Sequence, residues 1–127
     1  MGLPDTVNSI GCPNGVVVAV TSQIKLDFIT DKILSNLTTN RRIKTFITGS
    51  HKNDDGNWYW WGYDEIEYPL GKFPVFNPGP SDIFAYMNNY YGYNWRLNGT
   101  TGDDAMQWVC QNRACDADFI CDQSSQA

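Results

Sequence analysis

The sequence predicts an α+β domain of antiparallel strands with one or two helices and a long loop, cross-linked by disulfides. Three observations carry this. A continuous apolar, β-branched run leads into a helical repeat near the N-terminus; alternating and aromatic strand-like segments flank a polar turn in the middle; and four cysteines occur in 127 residues. That length suits one domain, residues 1–127, able to bury a real core yet small enough for cross-links to matter.

The elements follow in order. Residues 15–20, "GVVVAV", are continuous and β-branched, as a buried strand requires. Thr21 or Ser22 then offers a helix N-cap, and Ile24, Phe28, Ile29 and Ile33 recur at helical spacing toward Asn36. This assigns them to the packed face and leaves Lys25, Asp31 and Lys32 in water. From Ile43, "IKTFITGS" alternates Ile43, Thr45 and Ile47 against Lys44, Phe46 and Thr48; "HKNDDGN" supplies turn residues, with Asp54 and Asp55 serving the turn, and "WYWWGY" resumes as a strand. His51 falls in that turn, where a lone histidine is expected to be exposed.

Residues 65–82 hold four of the six prolines, Pro69, Pro74, Pro78 and Pro80, which excludes a helix or a central strand and predicts a long loop. Loops of that length in a compact domain are functional or disordered. "SDIFAYMNNYYGYNW" reads as a short strand or helical turn, "RLNGTTGDD" as a loop and "AMQWVCQ" as the final strand, with Cys115 and Cys121 in a tail beyond it.

Composition narrows the function. The formal charge is −5, and only Arg41, Arg42 and Lys44 come close together, so a nucleic-acid surface is not expected despite the aromatics. No run of about twenty apolar residues offers membrane insertion. The start "MGLPDTVNSI" lacks the basic and apolar regions of a secretion signal, so any such signal is expected to have been removed. The even cysteine count favours disulfides over zinc, since the spacings form no CxxC knuckle and His51 is the single imidazole. Three pairings are open; Cys12 with Cys110 would close a loop of about 98 residues and contribute roughly 4–5 kcal/mol, Cys115 with Cys121 about 2. Asn36 and Asn98 head two N-glycosylation triplets.

Residues 56–65, "GNWYWWGYDE", put Trp58, Tyr59, Trp60, Trp61 and Tyr63 together, either as a ligand platform or as core. Strand alternation sets Trp58 and Trp60 on one face with Gly62, and Tyr59 and Trp61 on the other. In order, Cys12 and Gly15, "VVVAVTSQIKLDFI", "FITGS", "GNWYWWG", "FNPGPSD", Trp95 and "WVCQ" resemble the C-type lectin-like domain family over residues 12–111, with 112–127 as an added tail. The resemblance implies that Trp58 and Trp60 match the buried W-x-W, that Cys12 pairs with Cys110 as the long-range disulfide, and that Cys115 with Cys121 is an addition. The family's second disulfide has no cysteines here, its positions falling close to Ala85 and Gly99. Family members carry a first strand and a full first helix ahead of the Cys12 position; this chain has eleven residues there, as a truncated or a shortened divergent member would, and the sheet edge that the first strand covers is expected to be exposed or covered by the tail.

Sugar binding in the family uses calcium held by Glu-Pro-Asn or Gln-Pro-Asp in the long loop and by Trp-Asn-Asp before the last strand. Here the second motif reads Trp95-Arg96-Leu97 and the loop reads Pro78-Gly79-Pro80 or Pro80-Ser81-Asp82, so no cofactor is expected. Oxygen ligands for calcium would have to be gathered anew from Glu65, Glu67, Asp82, Asn94, Asp103 and Asp104. Glu65 and Glu67 make no evident acid–base pair in a cleft, and no triad is legible, so catalysis is not expected. The resemblance therefore implies an extracellular, secreted or ectodomain recognition module that binds a protein or another ligand without calcium. A glycan-binding lectin, calcium-dependent or reading sugars by aromatic stacking, and a structural matrix or coat protein are the alternatives. Tyr63, Tyr90, Tyr91, Tyr93, Trp95 and Arg96 are the expected contact residues, aromatics being suited to low-entropy recognition, and packing of the loop onto the core is the competing role for the tyrosines.

Overall fold

The computed structural model describes residues 1–34, 43–89 and 94–112. Tyr90, Tyr91, Tyr93, Cys115, Cys121, Asn36, Arg41 and Arg42 lie outside them.

Helix α1, Pro4–Ile10, starts with proline in its first turn, where the missing N–H costs no helical bond, and buries Pro4 and Val7. Ahead of it Gly2 forms an antiparallel bridge with Met106, closed by Gly2 N to Met106 O at 3.0 Å and Met106 N to Gly2 O at 2.9 Å. At the edge expected to be exposed or covered by the tail, the first residues of the chain supply this bridge, and the tail lies outside the described residues.

Strand β1, Val16–Val17, is shorter than the six-residue strand expected. It pairs with β8, Cys110–Gln111, and beyond it the main chain leaves the ladder while Val18, Ala19 and Val20 stay buried. There Val18 N donates to Val109 O and Gly49 N to Val18 O, both at 3.0 Å. A buried apolar run reads as strand whether or not its backbone finds a continuous partner.

Ser22 caps helix α2, Gln23–Phe28, its Oγ accepting from Lys25 N at 3.1 Å. The helix continues as a π-helical turn, Ile29–Leu34. Its packed face carries Leu26, Ile29 and Ile33, whereas Ile24 is 82% exposed and Phe28 58%. Positions 24 and 28 compete with 26, 29 and 33 for the helical apolar repeat, and packing chose the second set. Lys25, expected in water, is half-buried and gives its ammonium to Gln111 Oε1; burial lowers its pKa.

Among the described residues six strands make the main sheet, with β4, β3, β2, β5 and β6 neighbouring in that order. Strand β2, Thr45–Lys52, and β3, Trp58–Trp61, form the expected hairpin, Ser50 opposite Trp60 and His51 opposite Tyr59. Strand β2 is covered on both faces: Phe46 lies in one core and Ile47 in the other, so the expected polar side does not exist. Strand β4, Glu67–Pro69, rises within the proline-rich stretch and pairs antiparallel with β3, Trp61 opposite Glu67. It stands at the sheet's edge, the place a strand tolerates proline.

Strand β5, Phe84–Asn88, pairs with β2 on one side and on the other with β6, Arg96–Thr100, which occupies the stretch expected to be a loop. Strand β7, Gln107–Trp108, lies parallel to β2. Trp60, Phe46, Met87, Leu97, Leu26 and Ile29 share one core, with Trp58 and Trp95 partly buried against it. Val7, Val17, Ile47 and Met106, with Trp108, form the second on the opposite face.

Cys12 is bonded to Cys110, tying the chain just after α1 to β8. Ala85 and Gly99 stand directly opposite each other across β5 and β6, and the Asp82 side chain lies where a Cβ on Gly99 would go.

Candidate functional site

The exit of β3 is where strand alternation leaves aromatics outside the main core. Tyr59 and Trp61 share their face with His51 of β2, and the Trp61 and His51 rings stack at 4.2 Å with 17° between planes. His51 is 6% exposed rather than free in a turn. Its Nδ1 meets the Gly49 carbonyl at 3.0 Å and its Nε2 meets the Glu67 carboxylate. The β3–β4 register delivers Glu67 to this place, and Asn53 Nδ2 donates to both its oxygens at 3.0 Å. The hydrogen bond from His51 is the largest of the influences holding the Glu67 carboxyl below its ordinary range.

Asp55 serves the β2–β3 turn as expected, accepting from Asn57 N at 2.8 Å and from Tyr59 Oη at 2.6 Å. Those bonds, Tyr59 first, lower the Asp55 pKa, and the same carboxylate raises that of Tyr59.

After β3 the chain turns through Gly62, whose missing side chain leaves room for the Tyr68 ring, into a 3-10 turn, Tyr63–Glu65. Asp64 (φ 60°) and Glu65 (φ 62°) are left-handed, a conformation costing on the order of 1 kcal/mol or more each and concentrated at functional sites. Tyr63 Oη accepts from Gln111 Nε2 at 3.3 Å, fixing this turn against β8. Between it and the α1–β1 connection lies an open cleft of about 860 Å³. Trp61, Tyr63, Asp64, Glu65 and Glu67 line one side; Asn8, Asn14 and the Cys12 region line the other. Trp61 Nε1 and Asn8 Oδ1 find no hydrogen-bond partner among the described residues, but both atoms are shielded from solvent and are no direct contacts for an incoming molecule.

The expected contact residues divide. Tyr63 lines this cleft. Trp95 is partly buried and packs on Phe46 with ring centroids 5.3 Å apart. Arg96 is exposed on β6 opposite Asn88. From β3, which leads into Tyr63, to β6 is three inter-strand steps, about 14 Å, so Tyr63 and Arg96 belong to different edges. His51, Asn53 and the Trp61 stack are what the sequence reading missed. Gly49, Ser50 and His51 carry no apolar alternation that would extend β2 to Lys52, so the local pattern held no signal for them.

Among the described residues no group of three or more His, Cys, Asp or Glu side chains is placed to hold a metal. Leu97, where the family pattern has an acidic ligand, is 3% exposed and belongs to the core.

The three-dimensional arrangement is similar to the solution structure of a lectin C-type domain derived from a hypothetical protein from C. elegans, with a TM-score of 0.66 at 19% identity, covering 97% of this chain and 82% of that one. The chain has the C-type lectin fold. No family model matches the sequence, and no curated protein matches it significantly. The C-type lectin-like architecture rests on the shared path of the backbone and on the Cys12–Cys110 bond. No helix among the described residues is long and apolar enough to cross a membrane.

Proposed function

We propose that this C-type lectin-like domain is an extracellular recognition module that binds a protein or another ligand without calcium and without catalysing a reaction. The observation that carries the reading is the fate of the Trp95-Arg96-Leu97 stretch. Leu97 is committed to the core and Arg96 is a cation, so neither offers the oxygen that calcium requires. The disulfide fits an oxidising compartment. Glu67, which a hydrolytic reading would need free, is engaged by His51 and Asn53. Tyr63 and Arg96 are proposed as contacts together with Tyr90, Tyr91 and Tyr93, while Trp95 packs on Phe46 of the core. Asn98, partly exposed on edge strand β6, is the proposed glycan attachment point within the described residues.

A second reading, glycan binding by stacking, is favoured by Trp61 and Tyr63 lining the cleft together with carboxylates and with the asparagines of the α1–β1 side. Glycan arrays and arrays of extracellular proteins, probed with calcium and then with a chelator, separate the readings. Binding that survives chelation and falls at least about tenfold in Tyr63→Ala or Arg96→Ala supports the proposal. Loss of all binding on chelation refutes calcium independence; binding confined to glycans selects the second reading. Self-assembly with no binding selects a structural role.

A further inference from the structure

We propose that His51 and Glu67 form a proton-dependent latch holding edge strand β4 and the Trp61 wall of the cleft. The argument is one of proton counting. His51 Nδ1 faces the Gly49 carbonyl, which only accepts, so Nδ1 carries a proton. Its Nε2 faces the Glu67 carboxylate, which also only accepts. A neutral imidazole has one N–H and cannot serve both, whereas the imidazolium serves both at once. The arrangement is therefore that of the protonated ring, and its buried charge is met by the carboxylate on one side and the Trp61 π-face on the other.

Removing the second proton leaves two acceptors facing each other. Glu67 then keeps only the amide of Asn53. Strand β4 has three residues, stands at the sheet edge and among the described residues pairs only with β3, so loss of a charge-assisted side-chain anchor weighs heavily on it. The same step weakens the hold on the stacked Trp61 and leaves the Glu67 side chain to Asn53 alone, and both Trp61 and Glu67 line the cleft.

The surroundings supply no substitute cation among the described residues. Strand β4 contributes Glu67, β3 contributes Tyr59, and the turn contributes Asp55 through the Tyr59 hydroxyl. The 3-10 turn adds Asp64 and Glu65 beside the cleft. Strand β5 places apolar Phe84 opposite His51. Lys52, next in β2, turns its ammonium to the Pro80 carbonyl. Asp5 of α1 is exposed.

His51 is the chain's single histidine, so imidazole C–H proton NMR signals follow its titration without overlap. Amide hydrogen exchange of β3 and β4, corrected for intrinsic rate, is measured over the same pH series. Protection of these amides is expected to fall about tenfold or more as the ring loses its proton, with the same midpoint, while β5–β6 amides hold steady. In Glu67→Gln the pH dependence is expected to vanish, and in Asn53→Ala to persist. Protection that stays flat through the wild-type titration overturns the latch, as does a pH dependence that survives in Glu67→Gln. The wild-type titration needs no variant to fold.

Discussion

Removing the Cys12–Cys110 bond by the double substitution Cys12→Ala and Cys110→Ala is the largest single perturbation the structure points to. The bond spans a sequence separation of 98, for which the chain-entropy relation gives about 4.7 kcal/mol of lost unfolded-state restraint. A native-state loss adds to it. The β1–β8 ladder consists of two residue pairs, Val16 with Gln111 and Val17 with Cys110, and α1 rests beside it with Val7 in the second core. The stability of a domain this size is about 5–15 kcal/mol, so the variant loses a large part of it. Urea unfolding followed by tryptophan fluorescence is a direct assay, because Trp60 is buried in one core and Trp108 packs on the other. With a urea slope of about 1–3 kcal/mol per molar, the midpoint is expected to drop by about 1.5–5 M. A drop below about 0.5 M with an unchanged slope would refute the reasoning, because the long loop would then contribute almost nothing.

Two further outcomes are expected. Leu26→Ala costs about 2–5 kcal/mol because it opens a cavity under α2, whereas Ile24→Ala stays within about 0.5 kcal/mol; equilibrium unfolding in which Ile24→Ala is the more costly would reverse the assignment of the helix face. For Glu67 the folded pKa is depressed, first by the hydrogen bond from His51, so the unfolded chain binds more protons between the two pKa values and stability there rises with pH. That contribution is present above the ordinary glutamate pKa and is lost as pH falls through the depressed value. Glu67→Gln should flatten this part of the acid limb, and an identical limb in the variant counts against the pairing.

The hairpin was legible because alternation and a polar turn act locally: residues 43–61 carry their own period and their own breaker. Strand β6 was not, because Asn98, Gly99 and Thr100 have the composition of a turn and become a strand only by pairing with Tyr86, Ala85 and Phe84. The ends of β2 were misjudged for a related reason. Gly49, Ser50 and His51 lack an apolar signature, yet lie in a strand covered on both faces, so burial there reflects neighbours distant in sequence.

The candidate site shows the same division. Alternation alone separated Trp58 and Trp60 from Tyr59 and Trp61, and Tyr63 could be singled out at the strand exit. That Tyr63 faces a cleft while Trp95 packs on Phe46 depended on where the α1–β1 connection and β2 came to rest.

By itself the sequence determined the class of the domain, the order of its central elements, the polarity of its surface and the residues free to form a long cross-link, since each is written in local composition and spacing. Only the tertiary structure decided which of two apolar sets on α2 is packed, that a proline-bearing segment pairs as edge strand β4, and that His51 lies buried against Trp61 and Glu67. The reason is physical: each depends on a partner in another element or on the shape of a core, and a local pattern is compatible with more than one such partner.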